Sequence, residues 1–168
     1  ENELLASRIA RCFRVNQVEY EEAFYDGQKV SASRIITSLS QSIVPMEYFE
    51  IYAANHETGT MDYVLRLDGY GYYMMNIIDY LVGNTDRHWG NWGVLVDTRT
   101  NRPLSLHPLM DFNQSFLAYD TLDGANCQTL FGRRGTQRQA AEEAVRKIGL
   151  SQIKEIGRDI FRDLPQYE

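Results

Sequence analysis

Between two strongly apolar runs, Tyr72 to Val82 and Trp92 to Val96, lies the polar octet Asn84-Thr85-Asp86-Arg87-His88-Trp89-Gly90-Asn91. Polar loops clamped between rigid buried elements are where reactive groups are held. Asp86 and Asn91 are five positions apart, and Asp111 follows after one further turn-containing stretch. If that stretch folds back as a two-stranded ribbon, two carboxylates and an amide oxygen meet at one end of it. An all-oxygen set suits hard Mg²⁺ and leaves coordination positions for water and substrate phosphates. Phosphoryl transfer needs metal to neutralise the phosphates and a group that orients the attacking hydroxyl and takes its proton. Asp86 fits the second task, and Asn91 with Asp111 fits the first. The same oxygens would also serve a metal-dependent hydrolase of phosphate esters. Structurally, Asp86 and Asn84 could simply cap a helix end or shape a tight loop, and Asp111 could be a strand-end turn residue.

The positioning elements follow from periodicity and punctuation. Glu3 to Phe13 reads as a helix with Leu4, Leu5, Ile9, Cys12 and Phe13 near one face, acids first and bases last. Asp26-Gly27 between β-leaning runs marks a hairpin, because both turn positions need positive φ. Arg34-Ile35-Ile36-Thr37 reads as a further strand, Ser38 to Val44 as a polar loop, and Pro45 as the start of a helix through Tyr52. Met61 to Leu67 forms another helix that stops near Asp68-Gly69. Tyr72 to Val82 is apolar round most of its circumference and belongs in the middle of the fold. Strands are expected over Trp92 to Val96 and Leu104 to Met110, joined by a hairpin loop from Asp97 to Pro103. Tyr119 to Gly135 reads as a loop. Two amphipathic helices close the chain: Gln137 to Ile148, ending at Gly149, and one N-capped by Ser151 that carries Ile153, Ile156, Ile160 and Phe161. Trp89, Trp92 and the Met and Tyr residues between 70 and 80 are core material, and His56 and His107 sit at no metal-ligand spacing.

Composition bounds the partners. The 168 residues are 43% hydrophobic, enough for a sizeable core. A net charge of −6 argues against sequence-independent nucleic-acid binding, which depends on neutralising phosphates; Arg133, Arg134 and Arg138 read as a solvated cluster. Cys12 and Cys127 have no partner at CxxC spacing, which points to a reducing compartment, the cytoplasm, rather than a disulfide framework or zinc site. No apolar run approaches the roughly 18–20 residues that span a bilayer.

The step from Asp86 to Asn91, followed by Asp111-Phe112, matches the catalytic-loop and Asp-Phe-Gly spacing of protein kinases, with the local order Asp-Arg-His instead of His-Arg-Asp. Asn113 stands in place of the glycine, and asparagine tolerates left-handed backbone well. Asn84-Thr85-Asp86-Arg87-His88 with Asn91, then Met110-Asp111-Phe112, resembles the HipA-like kinases, and the Asp-Arg-His-x-x-Asn core is also similar to that of phosphoinositide kinases. The resemblance implies an α+β, protein-kinase-like fold: a partial N-lobe over residues 1–37 (helix, hairpin, hinge) and a mostly helical C-lobe over 38–168 with a short β-ribbon. It implies ATP and Mg²⁺ as cofactors, Asp86 as the catalytic carboxylate, and Asn91 and Asp111 as metal ligands. His88, the second catalytic-loop residue, would fix the loop by hydrogen bonds rather than exchange protons. Asn2-Glu3-Leu4-Leu5 resembles the start of the helix whose Glu faces the nucleotide lysine, and Ile35-Ile36 resembles the stretch before the adenine-binding hinge. The acceptor would be a hydroxyl, on protein Ser/Thr rather than lipid. No glycine-rich phosphate loop or lysine-bearing strand precedes Glu3, so the chain is expected to be an N-lobe-incomplete piece of a longer protein. A pseudokinase-like module that keeps the fold without turnover is the alternative.

Overall fold

The computed structural model describes residues 1–117 and 135–149. The expected loop at Tyr119–Gly135 apart from Gly135, the helix after Ser151, Cys127, Arg133 and Arg134 lie outside those residues. In chain order come α1 (Asn2–Arg11), β1 (Tyr20–Tyr25), β2 (Gln28–Ser33), β3 (Gln41–Pro45), α2 (Met46–Asn55), α3 (Thr60–Val82), β4 (Gly93–Asp97), β5 (Pro103–Leu106), a 3-10 turn (Ser115–Leu117) and α4 (Gln137–Ile148).

The second half of α3 is the centre of the core, as its apolar circumference implies. Tyr72, Met74, Met75, Ile77, Ile78 and Val82 are buried, joined by Phe49 of α2, Trp92, and Val94 of β4. Tyr80 and Leu81 are the exceptions and face solvent. The expected break at Asp68-Gly69 is a kink, not a gap. Asp68 leaves helical geometry (φ −155°, ψ 65°), and its carboxylate restarts the helix by accepting the Gly71 N–H at 2.9 Å, an N-cap inside one continuous element. Its other oxygen accepts from the Leu106 N–H at 3.3 Å, tying the kink to β5.

α1 presents small residues to the core. Ala6, Ser7 and Ala10 are buried along with Phe13, whereas Leu4, Leu5 and Ile9 are only partly covered. Close backbone approach, rather than large side chains, fixes this helix, so the expected leucine-led face is corrected. α4 follows the same logic through Ala140, Ala141 and Ala144. Its start carries a capping box in which Thr136 accepts from the Gln139 N–H and Gln139 reaches back to Thr136 N–H.

Two small antiparallel sheets flank the helices. β1 and β2 form the anticipated hairpin, with Asp26 (φ 50°) and Gly27 (φ 75°) as its two turn residues. The other sheet has the order β3-β4-β5, and here several sequence expectations fail. Arg34 to Thr37 is not a strand, since β2 ends at Ser33 and residues 34–38 form no regular structure. The supposed loop supplies β3, pairing Gln41 with Asp97 through Pro45 with Gly93, so the ribbon has three strands. β5 is also shorter than expected, ending at Leu106. β3 and β4 meet tightly at Gly93, where a Cβ would lie 2.3 Å from the Val44 carbonyl oxygen. That contact seats the β4 end of the polar octet.

Candidate active site

The octet hangs from the C-terminal end of α3. Gly83 is left-handed (φ 61°), and the Asn84 N–H turns back to the Asp79 carbonyl at 2.9 Å while the Gly83 N–H reaches Tyr80 O, a Schellman closure. This delivers the Asn84 amide to the Asp79 carboxylate, where Nδ2 donates to Oδ1 at 3.0 Å. The Asn84 side-chain oxygen then accepts the Asp86 N–H at 3.2 Å. From the other side, Gln137 at the start of α4 donates its amide to the Asn84 carbonyl.

Arg87 organises the rest. Its Nε and Nη2 each donate to Asp79 at 2.9 Å, a bidentate ion pair with side-chain exposures of 2% and 5%. Burial lowers the affinity of Arg87 for its proton, but the Asp79 carboxylate outweighs it and holds the guanidinium above its ordinary value. The remaining nitrogen, Nη1, donates to the Asn91 carbonyl at 2.9 Å and to the carbonyl of Met110. One buried nitrogen therefore fastens the end of the octet to the residue preceding Asp111. The guanidinium also lies over the Phe112 ring, 5.2 Å from its centroid.

Within the loop, the Asn91 N–H donates to His88 O and the His88 N–H to Asp86 O. His88 Nδ1 accepts the Gly90 N–H at 3.0 Å, and its ring is otherwise exposed. Asn91 Nδ2 donates to the Asp86 carbonyl at 2.8 Å and lies 3.5 Å from its carboxylate. That commitment leaves Asn91 Oδ1, the atom a cation would need, without a bonded donor among the described residues.

Asp111 is half-buried and left-handed (φ 58°), so the unusual backbone falls on the aspartate and not on Asn113. Burial pushes its carboxyl above the ordinary value. Arg87 opposes that shift, the nearby charges of Glu3 and Asp86 add to it, and His88 opposes it. Three acidic groups thus crowd the site, countered among the described residues by Arg87 and His88, an arrangement that a bound cation would relieve. Among the described residues no three His, Cys, Asp or Glu side chains form a metal cluster by themselves. One amide oxygen and one carboxylate are nonetheless enough for Mg²⁺ when phosphates and water complete its shell, so these residues fit the ion.

The structure therefore gathers Glu3, Asp86, His88, Asn91 and Asp111. Glu3 accepts from Ser31 Oγ of β2 at 2.9 Å and has no lysine partner among the described residues. Ile35 is 87% exposed and Ile36 half-buried, both in the irregular link between β2 and β3. Sequence reasoning missed Asp79, the anchor of the whole arrangement. The available signal was a lone carboxylate in an apolar helix, placed at the C-terminal end where the helix dipole disfavours negative charge.

No protein-family model matches the chain, and no curated protein matches its sequence. Among solved structures it is similar to the crystal structure of a Helicobacter pylori proinflammatory kinase, CtkA, with a TM-score of 0.66 at 18% identity, over 99% of this chain and 73% of that one. The fold is kinase-like. At that identity the likeness establishes architecture alone, and the kinase-like fold places the octet at the junction of a buried helix and a small sheet. No helix among the described residues is long and apolar enough to cross a membrane.

Proposed function

We propose that the chain is the larger part of a HipA-like, ATP-dependent kinase domain that transfers a phosphoryl group to a hydroxyl, on protein Ser/Thr rather than lipid. The observation that carries this reading is the Arg87 clamp, which joins the Asn91 carbonyl to that of Met110 and so holds the loop of Asp86 and Asn91 against Asp111. The kinase-like fold supports it.

In this reading Asp86 orients the acceptor hydroxyl and takes its proton as the oxygen–phosphorus bond forms and the bond to the departing nucleoside diphosphate breaks. His88, through Gly90, keeps the loop in shape and takes no part in the proton transfer. Asn91 and Asp111 hold Mg²⁺, which neutralises phosphate charge when bound. Glu3 and the Ile35-Ile36 link belong to the nucleotide side. Residues 1–37 then make up the nucleotide-side lobe and 38–168 the helical lobe, a division supported by the separate β1-β2 and β3-β4-β5 sheets.

Asn91→Ala and Asp111→Ala, each made in the full-length protein, are expected to weaken Mg²⁺-dependent ATP binding by at least about 10–100-fold, the scale already reached when a residue behind a metal ligand is lost. Calorimetric titration with and without Mg²⁺ measures this, and wild-type affinity in both variants contradicts the metal assignment. A second reading, a nucleotide-binding module without turnover, draws on one observation: among the described residues Glu3 is bonded to Ser31 and to no lysine. Normal binding of Mg²⁺ and ATP with no transfer to any acceptor would establish it.

A further inference from the structure

Asn16 to Tyr20 runs beside Leu109 to Asp111 and is fastened to it at three successive points. The Leu109 N–H donates to Asn16 O at 2.9 Å, and the Val18 N–H donates to Leu109 O at 2.8 Å. The third point is a side chain: the Asp111 N–H donates to the Tyr20 hydroxyl at 3.1 Å, across 91 positions of sequence. The charge of Glu3 on α1 also reaches that hydroxyl.

Resting on the phosphotransfer reading above, we propose that Tyr20 is a positioning residue for the metal-binding carboxylate. It fixes the left-handed backbone of Asp111 from β1. Asp111 is the residue whose geometry most needs such support. Its φ of 58° is uncommon for any side chain other than glycine and persists where surrounding contacts over-determine it. The strand ladder cannot supply this support, because β5 has already ended at Leu106. Tyr20 acts on the site through Asp111 and does not itself touch substrate.

Tyr20→Phe in the full-length protein keeps the ring and removes only the bridging hydroxyl. The Mg²⁺ concentration giving half-maximal ATP binding is expected to rise about two- to tenfold, the scale of one neutral hydrogen bond, with ATP affinity recovered at saturating Mg²⁺. The Asp111 amide should lose hydrogen-exchange protection while the amides of α3 keep theirs. Phe24→Ser, at the exposed hairpin tip, serves as the control for general loosening of the hairpin and should change neither quantity. An unchanged Asp111 amide in Tyr20→Phe overturns the inference, as does a Mg²⁺ shift of equal size in Phe24→Ser. Wild-type protein without Mg²⁺-dependent ATP binding sinks the phosphotransfer reading instead, and the exchange of the Asp111 amide then decides the Tyr20 contact alone.

Discussion

The β1-β2 hairpin and the α3–octet junction use similar residue types under opposite conditions. In the hairpin, Lys29 pairs with Glu22 at 2.7 Å, both side chains about half exposed, and Phe24 and Tyr25 stand 73% and 77% open to solvent. At the junction, Arg87 and Asp79 pair at 2.9 Å with almost no exposure, and Nη1 of Arg87 donates to two backbone carbonyls. Water competes for the first ion pair and makes its loss nearly neutral. The second has no such substitute, because losing one partner strands a charge in the core. The lesson is that the charges that matter to this fold are the ones placed where no solvent can replace them, and those same charges shape the candidate site.

The sharpest way to break this contrast is Arg87→Ala, which leaves Asp79 buried and unpaired and is expected to cost about 3–5 kcal/mol in a urea unfolding measurement. Lys29→Ala should leave the unfolding midpoint where it was. Asp79→Leu combined with Arg87→Met separates the two roles of the buried pair. Stability should largely return, since an apolar replacement of a buried pair is often close to neutral, while phosphoryl transfer should not, since nothing then joins Asn91 to Met110. Recovery of both would show that the clamp is only structural.

A smaller effect sharpens the same contrast through pH. His107 is buried, and burial holds its pKa below the ordinary 6.5; its bond to the Pro108 carbonyl pulls the other way, and the Arg87 charge adds to the lowering. The unfolded chain therefore binds a proton that the folded one refuses in the window between the lowered value and 6.5. Stability from this group is complete above that window and declines as pH falls into it, by at most about 1.4 kcal/mol per pH unit. His107→Leu should flatten the slope of unfolding free energy between pH 7 and pH 5. An unchanged slope would mean that His107 is charged in the fold.

What was legible in the sequence was whatever depends on neighbours along the chain. The Asp26-Gly27 turn, the buried half of α3, α4, and the polar octet between α3 and β4 all announced themselves through local pattern. β3 did not, because Gln41-Ser42-Ile43-Val44-Pro45 has little periodicity of its own and becomes a strand only by pairing with β4. Ile35 and Ile36 erred in the opposite direction: β-branched residues suggested a strand, but no partner strand among the described residues reaches them. Asn113 was the natural residue for a left-handed position, yet the contact with Tyr20 places that strain at Asp111 instead. Asp79 with Arg87, and Tyr20 with Asp111, are tertiary bonds whose partners carry no mark of each other in the sequence.

The central claim is that Asp86 acts on the acceptor hydroxyl in a site that Asn91 and Asp111 prepare for Mg²⁺. Transfer of radiolabelled phosphate from ATP by the full-length protein, compared between wild type and Asp86→Asn at matched ATP occupancy, tests it most directly. The expected result is a rate lower by about 10²–10⁴-fold with ATP affinity nearly unchanged, because the lost interaction belongs to the transition state. Full transfer by Asp86→Asn would contradict the assignment even with the kinase-like fold intact.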